Sequence, residues 1–149
     1  MNEDVKLNRP LKEIPVLYIS FIAKETTKSI DIQSDQYLWE YNNENDTDAR
    51  IIGDSFFHPL AMADLLLKVE LPEGVNKVSI QFSENPTSYT VRYWPDYYAG
   101  NQEAQFNYKN YLKTVRDAIA LPKDKGIIVQ VYALWPQGEA YYAFYMIRV

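Results

Sequence analysis

GIIVQVYALWPQGEAYYAFYMIRV, residues Gly126 to Val149, decides the fold. Two strings built almost wholly of β-branched, aromatic and small residues flank Pro136-Gln137-Gly138. Ile127, Val129, Val131, Tyr141, Phe144 and Tyr145 suit a pleated, half-buried surface. Pro136 pre-sets φ for a turn, and Gly138 can accept the φ > 0 that such a turn asks for. The stretch predicts a β-hairpin and places the chain in the all-β class.

Similar signals recur upstream. Val16 to Lys24 predicts a strand, and Lys28 to Gln33, with Ile30 and Ile32 on one face, predicts a second across a Glu25-Thr-Thr-Lys28 turn. Tyr37, Trp39 and Tyr41 alternate in YLWEY, and after the polar segment Asn42 to Asp48 a further strand is expected at Ala49 to Gly53. Val75 to Ser83 and Tyr89 to Trp94 alternate clearly across the turn-prone Asn85-Pro86. Ala61 to Lys68 reads either as a short helical turn or as the lead into a strand. Between Gln102 and Leu121 two readings stay open. Phe106, Tyr108, Tyr111, Leu112, Val115, Ala118 and Ile119 approximate helical spacing, yet Val115 to Leu121 also works as a strand around an Arg116-Asp117 turn.

Seven to nine short strands in 149 residues predict one β-sandwich, immunoglobulin-like in general architecture, with room for one short helix. Residues 1–15 form a polar arm or tether and residues 16–149 a single domain. No linker divides the chain, and its hydrophobic content of 47% supports one core.

Composition removes whole classes of function. The formal charge is −5 and the 15 Lys and Arg are scattered singly, which opposes nucleic-acid binding. With no cysteine there are no disulfides, thiolate nucleophiles or zinc-thiolate sites, and one histidine excludes a histidine-rich metal centre. No cofactor motif or phosphate loop is present. No apolar run approaches the ~20 residues of a membrane span, and Met1 to Pro10 lacks the apolar core of a signal peptide. A soluble chain is expected, either cytosolic or freed of a leader.

Three places carry chemistry. His58 is the only imidazole available to a Ser-His-Asp arrangement, with Asp54 and Ser55 nearby, but no G-x-S-x-G elbow exists and a histidine before proline more often satisfies a turn. Asn42 to Asp48, NNENDTD, offers alternating oxygen ligands for a hard cation without an EF-hand's glycine and closing glutamate; Asx turns explain the same residues. In VRYWPDYYAG (Val91 to Gly100), Trp94, Tyr97 and Tyr98 surround Pro95 and Asp96 at a strand end. That set can stack on a sugar or a peptide, or it can close the sandwich end.

YLWEY, GDSFFHPL (Gly53 to Leu60), YTVRYWPDYYAGN (Tyr89 to Asn101) and VYALWPQGEAYYAFY (Val131 to Tyr145) together resemble an uncharacterised β domain. That domain recurs in lipoproteins and membrane-attached proteins of Gram-positive bacteria, especially clostridia. There, Y-S-W-x-Y, D-S-x-H-P-L, V-R-x-W and W-x-x-G-x-A-Y-Y-x-F occur in this order. The present chain departs in having Leu38 for serine and an extra phenylalanine in Asp54-Ser55-Phe56-Phe57-His58. The resemblance implies an extracytoplasmic domain, lipid-anchored in its precursor, and tips Val115 to Leu121 toward strand. It implies no activity. The resulting expectation is a non-catalytic binding or sensing module for a small molecule, glycan or protein, with Trp94, Asp96, Tyr97, Tyr98, Asp54 and His58 at its site. The alternatives are a small hydrolase using His58 or a carboxylate pair, and a structural interaction domain of a larger surface protein.

Overall fold

The computed structural model describes residues 13–34, 36–42, 48–52, 58–100, 111–112, 114–115 and 117–149. It is an all-β sandwich. Five strands, β1 (Leu17–Ala23), β2 (Thr26–Ile32), β6 (Lys77–Phe82), β9 (Thr114–Val115) and β10 (Ala118–Ala120), form one sheet in the order β2-β1-β6-β10-β9. The other sheet takes β3 (Gln36–Asn42), β4 (Asp48–Ile52), β5 (Leu67–Leu71), β7 (Ser88–Pro95), β8 (Tyr111–Leu112), β11 (Gly126–Trp135) and β12 (Gly138–Arg148). Its order is β4-β3-β12-β11-β7-β8, with β5 lying parallel to the second half of β12.

The expected C-terminal hairpin is its centre. β11 and β12 pair antiparallel from Gly126↔Ile147 to Trp135↔Gly138, so Pro136 and Gln137 alone make the turn. Gly138 does not take positive φ, which among the described glycines is confined to Gly74 and Gly100. It is needed for a different reason: a Cβ there would overlap the backbone carbonyl oxygen of Leu38 on the neighbouring β3. Positive φ falls instead on Lys24 (50°) and Glu25 (67°), a two-residue hairpin loop whose twist matches the flanking strands. The β1–β2 turn is therefore Lys24-Glu25, and Thr26 and Thr27 belong to the strand.

Period-two alternation puts Leu17, Ile19 and Phe21 of β1, Val78 and Ile80 of β6 and Ile119 of β10 between the sheets. They meet Val91, Val129, Val131, Tyr142 and Phe144 from the seven-stranded sheet, with Trp39 and Trp135 at one end. Each such side chain contributes about 1.5–3 kcal/mol of burial. β2 is an edge strand, largely exposed, with Lys28 in its middle, a placement that discourages edge-to-edge pairing. The open helix-or-strand question resolves to strand for β8, β9 and β10, where Asp117 (φ 60°) makes the turn before Ala118. Residues 101–110, which include Phe106 and Tyr108, lie outside the described residues.

The reading of β11 as half-buried needs one correction. Gly126 to Val131 is buried on both faces. Its outer face is covered by a 3₁₀ segment, Pro59–Leu65, so the region expected as helical turn or strand lead is both in succession, 3₁₀ and then β5. Leu60, Ala63 and Leu66 pack with Trp94 and Ile128 into a second, smaller core outside the sandwich.

Candidate functional site

This outer core holds Trp94 and Tyr98 of the residues that sequence picked out, with His58 packed on Trp94. β7 alternates, so Val91 and Pro95 face the sandwich interior while Arg92 and Trp94 project to the outer face. Trp94 is fully buried there. Its indole has no surface left for a ligand, because His58 closes over it with ring centroids 4.6 Å apart and planes at 76°.

His58 is placed by Pro59. The residue before a proline favours extended backbone, and at φ −65°, ψ 143° His58 caps the 3₁₀ segment, its Nδ1 accepting from the Leu60 N–H at 3.1 Å. Burial, and then the charge of Arg92, push the imidazole down to about 4. It is neutral at pH 7, and because Nδ1 accepts a hydrogen bond the proton sits on Nε2. That Nε2–H is buried and meets no hydrogen-bond partner among the described residues. A general base needs a free lone pair aimed at the nucleophile; here one nitrogen is occupied by backbone and the other carries the proton.

Arg92 lies over Trp94, its guanidinium carbon 5.3 Å from the ring centroid, and its Nη2 donates to Gln130 Oε1 at 2.6 Å. Gln130 is the only buried polar residue among those described, at 4% exposure. Beside them Tyr132 donates to Glu139 and its ring tilts against Tyr141, centroids 4.6 Å apart. The outer face is thus a connected polar and aromatic layer.

At the end of β7 the chain turns through a 3₁₀ turn, Asp96–Tyr98. Asp96 is a fixed point. Its Oδ2 accepts from Tyr145 Oη at 2.6 Å and lies so close to Gly126 that a Cβ there would overlap it. The same hydrogen bond, then burial, raises the Tyr145 hydroxyl to about 12. Ala99 N–H bonds to the Asp96 carbonyl at 2.9 Å and Gly100 N–H to the Leu60 carbonyl at 2.8 Å, which ties the turn to the 3₁₀ segment. Tyr97, 73% exposed, stands on this base with Tyr98 beside it, ring centroids 4.6 Å apart.

The structure therefore brings His58 onto Trp94 and groups Asp96, Tyr97 and Tyr98 at the adjacent end. Asp54, Ser55 and the loop residues 43–47, where a hard cation was considered, lie outside the described residues. Among the described residues no group of three His, Cys, Asp or Glu side chains is placed to hold a metal ion, and no helix is long and apolar enough to cross a membrane. Sequence reading passed over Arg92, Gln130 and Tyr145. Gln130 had a signal, as the lone polar residue in IIVQVYALW; the partners of Arg92 and Tyr145 are distant in sequence and had none. Comparison of the chain with protein-family models, curated proteins and solved structures gives no match in any of the three.

Proposed function

We propose that this domain is a non-catalytic binding or sensing module that works outside the cell, anchored through its N-terminal arm, and that it meets its ligand at the Asp96–Tyr98 end of the seven-stranded sheet. One observation carries the reading. Tyr97 is a large aromatic left 73% exposed on a turn that three elements hold in place. Asp96 is fixed by Tyr145 of β12 and by Gly126 of β11, and Gly100 by Leu60 of the 3₁₀ segment, so the ring pair is preorganised. Preorganisation lowers the ordering cost that binding must overcome. Tyrosine pairs of this kind offer apolar faces with hydroxyl tips, which suits a sugar ring or a peptide side chain. The extracytoplasmic setting rests on the sequence resemblance alone.

A hydrolase built on His58 is the weaker reading, since its imidazole is spent as a cap and held neutral by burial. An interaction domain has one observation in its favour: Leu65 and Leu67, 81% and 50% exposed, flank buried Leu66 where the 3₁₀ segment meets β5.

A thermal-shift screen of the purified domain against cell-wall fragments, oligosaccharides and peptides tests the proposal. A ligand at ~100 times its Kd adds about 2.7 kcal/mol, or roughly 5–10 °C at this chain length. Tyr97→Ala, at an exposed position, should leave the unliganded melting temperature within about 1 °C and remove most of the shift. A ligand shift that survives Tyr97→Ala unchanged overturns the site, and a flat screen with folded protein overturns the small-ligand reading.

A further inference from the structure

A cleft of about 660 Å³ opens on the opposite side of β7, where the chain crosses from one sheet to the other. Gln81, Phe82, Asn85, Thr87, Tyr89 and Asp117 line it. Its size falls within the range of small-molecule sites. One wall is the end of β6 and the β9–β10 turn; the other is the start of β7 and the β6–β7 connection.

Hydrogen bonds to backbone groups fix both walls, and one pair of lining side chains joins them. The connection is held by Ser83 N–H to the Val16 carbonyl (2.9 Å), Thr87 N–H to the Leu134 carbonyl (2.7 Å) and Trp135 Nε1–H to the Glu84 carbonyl (3.1 Å). Asp117 takes the left-handed conformation, φ 60°, and its carbonyl accepts from Ile80 N–H at 2.6 Å. Across the cleft, Tyr89 Oη donates to Asp117 Oδ1 at 2.8 Å. Phe82, half-buried, is wedged edge-to-face against Tyr89, Trp135 and Tyr142, at 5.3, 5.6 and 5.8 Å between centroids. The cleft is rigid where it meets protein and polar where it meets water.

Its chemistry narrows the occupant. Side-chain amides at Gln81 and Asn85, hydroxyls at Thr87, Ser88 and Tyr89, one carboxylate, the rings of Phe82 and Tyr89 and the apolar Ile80 and Pro86 line it, with no Lys or Arg among the described lining residues. An anion would meet Asp117 with no compensating cation among the described lining residues, and a purely apolar ligand would leave the amides and hydroxyls desolvated and unpaired. A sugar satisfies both demands: its hydroxyls donate to the carboxylate and exchange bonds with the amides, and its C–H face covers an aromatic ring. We propose that this cleft is a binding site for a neutral saccharide unit, with Asp117 and Asn85 as the hydrogen-bonding residues and Phe82 as the packing surface. The assignment goes beyond the tyrosine-bearing end and does not depend on it.

Backbone amide NMR of the full chain, titrated separately with glucose, galactose, N-acetylglucosamine and cellobiose, tests it. Saturable shifts confined to residues 81–89 and 117 are expected from at least one sugar. Asp117→Asn, which tolerates the left-handed turn, and Asn85→Ala should each weaken that binding by roughly tenfold or more while the remaining spectrum stays superimposable on wild type. Absence of saturable shifts in these residues with all four sugars overturns the cleft, as does binding unaffected by both substitutions. Saturable shifts centred on Tyr97 and Tyr98 alone overturn the cleft and leave the binding-module reading standing.

Discussion

His58 shows how one side chain spends its chemistry on architecture. Its neutral form is favoured in the folded state, which sets the sign of a pH effect. Between its ordinary value of 6.5 and the folded value of about 4, the unfolded chain binds a proton at this residue and the folded chain does not. The contribution is complete above pH 6.5, is lost as the pH falls through that window, and changes no further below 4. We expect roughly 1–2 kcal/mol, the full shift being discounted for the solvent around a partly exposed ring. Urea unfolding of wild type and His58→Asn at pH 7 and pH 4.5 checks this, because asparagine keeps an acceptor for the Leu60 N–H without titrating there. The wild type should lose more stability on acidification than the variant; parallel losses would exclude the burial of a neutral imidazole. That His58 satisfies a local turn was legible in His58-Pro59. Its packing on Trp94 was not, since that contact joins two segments 36 positions apart in the chain.

At the scale of elements, the β11–β12 hairpin was written into residues 126–149 by composition and turn chemistry. What that stretch did not disclose is that Gly138 serves the approach of a third strand. A Cβ at 138 would collide with backbone, the Leu38 carbonyl, which cannot rotate away as a flexible side chain could. Gly138→Ala should therefore cost about 1–3 kcal/mol, the usual penalty of overpacking. Hydrogen exchange should show the loss first at the β3–β12 pairing, Trp39↔Gly138 to Gln36↔Tyr141, while the β11–β12 ladder stays protected. An unchanged urea midpoint would refute the close approach. The stretch 111–120 was ambiguous for a related reason. Strands of two or three residues are too short for period-two alternation to outweigh a chance helical spacing. Their strand state comes from partners elsewhere, β6 for β10 and β7 for β8.

On the scale of the whole molecule, the chain passes repeatedly between the two sheets, and one side chain clips two of those crossings. Arg148 donates from Nη1 to the Val75 carbonyl and from Nη2 to the Pro122 carbonyl, each at 2.9 Å, while its own N–H bonds to the Lys125 carbonyl at 2.7 Å. Val75 lies on the β5-to-β6 crossing and Pro122 on the β10-to-β11 crossing. Arg148→Met keeps the stem and removes both charge-assisted bonds, with an expected loss of about 2 kcal/mol and about 4–8 °C in Tm. A change within 1 °C would mean that solvent replaces the guanidinium without cost. The all-β class and the central hairpin were determined by the sequence itself, because alternation and turn propensity act over a few residues and are printed in order. Tertiary structure alone decided that the first half of β11, Gly126 to Val131, is buried on both faces, that Trp94 lies beneath His58 rather than open to a ligand, and that Asp117 and Tyr89 meet across a cleft. Each of these depends on which distant segments the two sheets bring together, a choice set by the packing of the core as a whole and not by any local pattern.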